Sequence, residues 1–169
     1  MNDYCKQLST LLCGETPVIV CIGTDLVGGD CLGPLVGKML VERNVPTYVY
    51  GTFSFLVNAK NVDFVGKFVK SNHLGKKILA IDSSVGQKED VGKISVSRGA
   101  ILPASARGKS FSPLGDYNIT AVTCAHSPSS KEFSAVRLGF VFDLAKTITD
   151  IVCSSLSPVP FNNLLRLKN

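Results

Sequence analysis

The feature that most constrains this chain lies in residues 17–40. An apolar, largely β-branched run, PVIVCIG at 17–23, passes directly into a glycine-rich turn at 24–29. Apolar residues then recur at helical spacing: Leu32, Leu35, Val36, Met39 and Leu40. A short apolar run without polar alternation suits a strand buried on both faces, as in a parallel sheet. Asp30 stands where the helical pattern starts, and Pro34 is tolerated in a first turn because its missing N–H is not needed there.

The rest of the chain repeats the alternation of strand and helix. Residues 47–51 (TYVYG) predict a second strand, and 58–70 a helix, with Val62, Val65, Phe68 and Val69 in repeat and Gly66 weakening it. A third strand is expected at 77–82 (KILAID), stopping at Asp82, and a polar loop at 86–92. Residues 93–97 alternate as a half-buried strand does, and 117–125 (YNITAVTCA) read as another buried strand. A helix is expected over 130–152, with Phe133, Val136, Leu138, Phe140, Val141, Leu144, Ile148 and Ile151 on its apolar side. Ser129 or Ser130, with Glu132 nearby, supplies a start signal. Between the last two strands, residues 99–116 form a loop rich in Gly, Ser and Pro. A loop of that length inside a domain is often functional. Strands alternating with helices imply an α/β fold, its parallel or mixed sheet lying between helical layers.

At 169 residues, with 45% apolar and 18% charged residues, the chain suits one domain able to bury a full core. The expected core spans about 15–153, with a tail at 154–169 that carries Pro158 and Pro160. The net charge of +5 is scattered, so no basic run marks a nucleic-acid surface. No stretch of about 18 apolar residues predicts a membrane helix. The first ten residues lack the pattern of a signal peptide. The six cysteines show neither a CxxC pair nor zinc-ligand spacing, and Cys21 and Cys124 sit in apolar runs as small buried hydrophobes. A reducing cytoplasm is the expected compartment.

In open α/β sheets, ligands bind beyond the carboxyl ends of the strands. That rule gathers Asp30, after the first strand, Asp82, closing the third, and His126, after the last. Burial raises a carboxyl pKa, and two carboxylates close together cannot both ionise cheaply. One then stays protonated and acts as an acid while its partner acts as a base on water, the logic of an acid–base pair that hydrolyses an amide. No motif calls for a cofactor, although the same pair can hold a divalent metal that activates water. Structural alternatives stand beside both assignments: Asp30 as a helix N-cap, and Asp82 as a cap on the turn at Ser83 and Ser84. The turn lacks both the P-loop ending and G-x-G-x-x-G, which argues against nucleotide binding. Cys31 is a further candidate nucleophile, since a helix N-terminus favours a thiolate, with His126 as its base. His73 falls in a turn and is expected at the surface.

The segment CIGTDLVGGDCLGPLVGKML at 21–40 resembles the YyaC-type spore protease (sporulation protein) family of spore-forming bacteria. VYGT at 49–52, ILAIDSSVG at 78–86, PLGDYNIT at 113–120 and the helix containing Val136, Arg137, Leu138 and Gly139 support the resemblance, which covers nearly the whole chain. That family is similar in turn to the spore germination protease and the hydrogenase maturation endopeptidases. The resemblance implies a three-layer α/β/α sandwich with a mixed, mostly parallel sheet of the phosphorylase/hydrolase type. It implies that Asp30 and Asp82 are a catalytic pair, flanked by Thr24, Gly29 and Ser83 as substrate-binding positions. In the hydrogenase endopeptidases the equivalent acidic positions, with a histidine, contact a metal, and His126 is the third ligand this would imply. Two departures stand out: Cys31 replaces a small hydroxyl residue, and Asn58 stands near a position where the family carries a histidine.

The expected function is cleavage of a peptide bond in a small protein substrate during sporulation or germination, in the cytoplasm, with the forespore or spore core as one option. The alternatives are a non-catalytic sporulation protein that binds a protein partner through residues 99–116, and a cysteine hydrolase using Cys31.

Overall fold

The computed structural model describes residues 3–103, 111–125 and 133–156. Strand β1 (Val18–Cys21) is buried along its whole length, as its unbroken apolar run requires. It is flanked by β2 (Val49–Tyr50) and β3 (Ile78–Gly86), both parallel to it. Beyond β3 come β5 (Tyr117–Ala125), also parallel, and β4 (Ile94–Arg98), antiparallel to β5. The order across the sheet is β2-β1-β3-β5-β4.

Side-chain alternation divides this sheet between two apolar clusters. Ile19, Cys21, Leu79, Ile81 and Ile119 pack under helices α1 (Asp3–Leu12), α2 (Leu32–Glu42) and α4 (Leu138–Leu156). Val18, Val20 and Ile78 pack against Val62, Val65 and Val69 of α3 (Val62–Asn72) on the other face. The architecture is therefore a three-layer α/β/α sandwich around a mixed, mostly parallel sheet, as expected.

Several boundaries depart from the sequence reading, each for a physical reason. Helix α1 was not anticipated. Cys5, Leu8 and Leu12 form its buried stripe, so the core starts well before residue 15. The helix is tied down by Gln7 Nε2 donating to the Val96 carbonyl (2.8 Å) and by Ser155 Oγ donating to the Cys5 carbonyl (3.2 Å). Strand β2 is cut to two residues because the chain turns at Gly51, whose φ is +92°. A Cβ there would lie 1.8 Å from the Cys21 carbonyl oxygen, so only glycine lets this turn approach β1. Helix α3 starts at Val62, not at 58, because Asn58 and Asn61 build a turn in front of it: Asn61 Oδ1 accepts from the Asn58 N–H (2.9 Å), and Asn58 Oδ1 from the Lys60 N–H (2.9 Å). Phe68 and Leu138, both assigned to apolar faces, are exposed. Helix α4 runs through the half of the anticipated helix that carries Val141, Leu144, Ile148 and Ile151, and continues to Leu156, past the point where a tail was expected. Ser129, Ser130 and Glu132 lie outside the described residues, as do 104–110 of the long loop and 157–169. Where the long loop is described, Ile101 and Leu114 bridge antiparallel and Leu114 is buried on the α3 side.

The largest departure concerns β3. It does not stop at Asp82 but pairs with β5 as far as Gly86 and Ala125, with a register shift between Ser84 and Val85. Strand β1 ends opposite Ile81. The second half of β3 therefore has one neighbouring strand instead of two, and its sequence turns polar where that cover is lost.

Candidate functional site

Strand β1 is the point where the chain reverses direction across the sheet, with β2 laid on one side and β3 on the other. In doubly wound sheets the crevice at the carboxyl end of such a switch point receives ligands. A cleft of about 500 Å³ opens there, and Asp30, Asp82, Thr24 and Ser83 all line it.

Asp30 is delivered by the turn after β1. Residues Gly28–Asp30 make one 3-10 turn, and the Asp30 carbonyl accepts from the Thr24 N–H (3.0 Å), closing the loop on itself. Gly23 permits this closure: its φ is +148°, and a Cβ would lie 2.0 Å from the Asp30 carbonyl oxygen. Helix α2 begins two residues after Asp30. Its cap position is held by Cys31, with no side-chain capping bond. Asp30 therefore lies one residue before the cap position, and its carboxylate accepts from the Ser83 hydroxyl.

Asp82 is the first β3 residue past the last pair with β1, so its half-buried side chain stands at the floor of the cleft. Its Oδ1 accepts from the Ser83 N–H (2.8 Å), the local bond anticipated as the structural alternative. The Ser83 hydroxyl in turn donates to Asp30 Oδ1 (3.3 Å). One serine thus touches both carboxylates. Desolvation by burial, and then the negative charge of Asp30, hold the Asp82 carboxyl well above the usual carboxylate range, and the Ser83 N–H opposes them only in part.

The flanking positions separate. Thr24 is buried and its hydroxyl accepts from the Leu26 N–H (3.3 Å). Gly29 is not at the cleft surface: it lies beneath Phe133, where a Cβ would come within 2.6 Å of the ring. A side chain at this position would collide with the Phe133 ring, so glycine serves the packing here. At Cys31, burial first, then Asp25 and Asp30, push the thiol up, against the influence of the helix terminus, which weighs against a nucleophilic thiolate. His126, its supposed base, lies outside the described residues. His73 is half-buried rather than at the surface, its Nε2 hydrogen-bonded to the Tyr50 hydroxyl (2.8 Å). Cys21 and Cys124 are buried as expected.

Among the described residues, no three His, Cys, Asp or Glu side chains gather as a metal-ligand set. The donors beside Asp30 and Asp82 are the hydroxyls of Ser83 and Thr24, and Asn58 lines the same cleft where the resemblance places a histidine. Among the described residues this set contains no histidine, and His126, the third ligand the resemblance implies, lies outside them. Asn58, Lys60, Leu102 and Phe133 also line the cleft and were not assigned to it from sequence. The one signal for any of them was the histidine position at Asn58.

The fold is an α/β/α sandwich whose switch-point cleft holds two acidic groups. The family model described as "Protein of unknown function (DUF1256)" matches residues 1–151, and the chain belongs to that family. The uncharacterized protein YyaC of Bacillus subtilis (strain 168) is 33% identical over 125 residues, a match covering 69% of this chain and 61% of that relative. The chain thus covers less than two thirds of the relative's length. Among solved structures, the [NiFe] hydrogenase maturation protease HycI from Thermococcus kodakarensis KOD1 is similar with a TM-score of 0.51 and 18% identity, over 86% of this chain and 98% of the other. The [NiFe] hydrogenase maturation protease HybD from the same species gives a TM-score of 0.40 at 14% identity, over 81% and 99% of the two chains. The likeness to HycI shows a shared α/β fold.

Proposed function

We propose that this chain is an endopeptidase that hydrolyses a peptide bond in a small protein substrate, with Asp30 and Asp82 as its catalytic pair. The observation that carries the reading is Ser83 joined to both carboxyl groups in one cleft, with burial and the charge of Asp30 raising the proton affinity of Asp82. The difference in environment assigns the roles. Asp30 takes a proton from a water molecule as its oxygen attacks the scissile carbonyl carbon. Asp82 gives its proton to the carbonyl oxygen. The tetrahedral diol then collapses, the proton held by Asp30 passes to the amine nitrogen, the C–N bond breaks, and Asp82 recovers its proton from the diol hydroxyl. No step is routed through a metal.

The likeness to a hydrogenase maturation protease supports the framework for such chemistry, and the YyaC-type resemblance supports a substrate met in sporulation or germination, within the forespore or spore core. Thr24 and Ser83 shape the site on this reading, Ser83 by orienting both acids. Mass spectrometry of a complex peptide mixture incubated with the purified chain tests it. Asp30→Asn and Asp82→Asn should each lower the cleavage rate by ~100-fold or more, the usual contribution of a general acid or base. Undiminished cleavage by both variants would remove the pair from the mechanism.

A further inference from the structure

The cleft contains a stretch of β3 that, among the described residues, has no partner strand on its β1 side, although the Ser83 N–H there already donates to Asp82 Oδ1. Between β1 and β3, the carbonyls of Lys77 and Ile81 accept from the N–H groups of Val18 (2.8 Å) and Ile22 (2.7 Å). Backbone polar groups alternate sides along a strand, so every second residue of β3 faces β1. The next in that series is Ser83, and its carbonyl turns to the side where β1 has already ended. There the chain veers off: the Gly23 N–H donates to the Val57 carbonyl (2.8 Å), away from β3. Residues 82–85 nevertheless line the cleft beside Asp30. An edge of this kind pairs readily with an extended chain, the basis of peptide recognition by strand addition.

The side chains around this edge define what such a chain carries. Leu26 and Leu102 line the cleft while 86% and 59% exposed, two large apolar groups left in water. Lys60 also lines it, and among the described residues no carboxylate lies within ion-pair distance of its ammonium. The site's own charges, Asp30 and Asp82, are already engaged with Ser83.

We propose that the substrate is an unfolded, extended segment that pairs with β3 from Ser83 onward as an added strand, in the space beyond the end of β1. An apolar side chain of the segment rests on Leu26 and Leu102, and an acidic one meets Lys60. This inference rests on the peptidase reading of the cleft and specifies its substrate class: a flexible acidic–apolar stretch rather than a folded surface. Strand pairing also lays the scissile amide beside Asp30 and Asp82 by main-chain contacts, independently of the residues flanking it.

Fluorescence polarisation with a labelled octapeptide containing leucine and glutamate tests the pairing on the full chain. Two versions N-methylated at alternate residues, one for each edge of the peptide, serve as probes. Methylation of the edge that faces β3 should weaken binding by ~10-fold or more, since it removes main-chain donors, while methylation of the outer edge leaves it within about threefold. Lys60→Glu should weaken the glutamate peptide by ~10-fold and favour its lysine counterpart. Equal responses to the two methylation patterns, or no binding of any peptide, would overturn the proposal. Mass spectrometry on the same samples separates it from the peptidase reading. Cleavage without edge-selective binding discards strand addition and keeps the peptidase. Edge-selective binding without cleavage keeps the strand and discards the peptidase.

Discussion

The two halves of β3 are one strand under two regimes. Ile78, Leu79, Ala80 and Ile81 are buried between β1 and β5, with helices above and below. Asp82, Ser83, Ser84, Val85 and Gly86 keep the β5 ladder but lose β1, and every one is half-buried. The backbone continues while the chemistry of the side chains inverts. Carboxyl and hydroxyl groups are costly inside a sheet but sustainable where one side opens to a cleft. The lesson is that a fold can build a reactive floor by ending one strand early beside another that goes on.

That contrast can be broken from its buried half. Ile81 is fully buried in the cluster under α1, α2 and α4. Ile81→Ala should cost about 2–5 kcal/mol of unfolding free energy, as for other large-to-small core changes. Ser84→Ala, three residues on, should stay within about 0.5 kcal/mol because Ser84 is half-buried and the change removes only a hydroxyl oxygen. Urea denaturation of the two variants measures both. Comparable losses would mean that the overhang is as tightly built as the buried half.

A smaller effect sharpens the open half. The Asp82 carboxyl is held above its ordinary range by burial and by Asp30. The folded state then binds this proton more tightly than the unfolded chain does. The stabilisation from that proton is complete below the unfolded carboxyl pKa of about 3.9 and is lost as pH rises through the higher folded value. Asp82→Asn cannot ionise and escapes that loss. It should be more stable than the parent at neutral pH, by about 1.4 kcal/mol for each tenfold change in proton affinity, with the gap closing near pH 4. Thermal melts across pH 4–8 check the sign. A gap that widens toward low pH would assign Asp82 a lowered pKa and exchange its role with that of Asp30.

The same contrast explains what could be read in the sequence. Strand β5 at 117–125 was legible to the residue, and β1 was legible to within two residues at its end, the latter because continuous burial leaves a continuous apolar signal. The polar half of β3 was illegible for the converse reason: Asp82, Ser83 and Ser84 carry loop chemistry on strand backbone. Helix α1 was missed although Cys5, Leu8 and Leu12 have helical spacing, since its polar residues hide a narrow stripe. The positions of Asp30 and Asp82 at the sheet's carboxyl edge followed from one rule about strand ends. Lys60, Leu102 and Phe133 reach the cleft from three separated segments, and only tertiary packing brings them there. Gly29 entered only through the family resemblance, and its close contact with Phe133 was not visible in the sequence.

The smallest effect is expected at Cys31, where two local influences oppose each other. A helix N-terminus lowers a thiol pKa, yet here burial and the charges of Asp25 and Asp30 raise it. Since the thiolate is the reactive form, Cys31 should be alkylated by iodoacetamide at neutral pH more slowly than the exposed Cys13, by ~10-fold or more. Cys31→Ser restores the small hydroxyl of the family pattern and should leave peptide cleavage within about twofold, since the side chain holds no proton the mechanism needs. Peptide mapping after timed alkylation gives the first number and the cleavage assay the second. Rapid labelling of Cys31 together with loss of cleavage in Cys31→Ser would restore the thiol as nucleophile and reduce the acid pair to a supporting role.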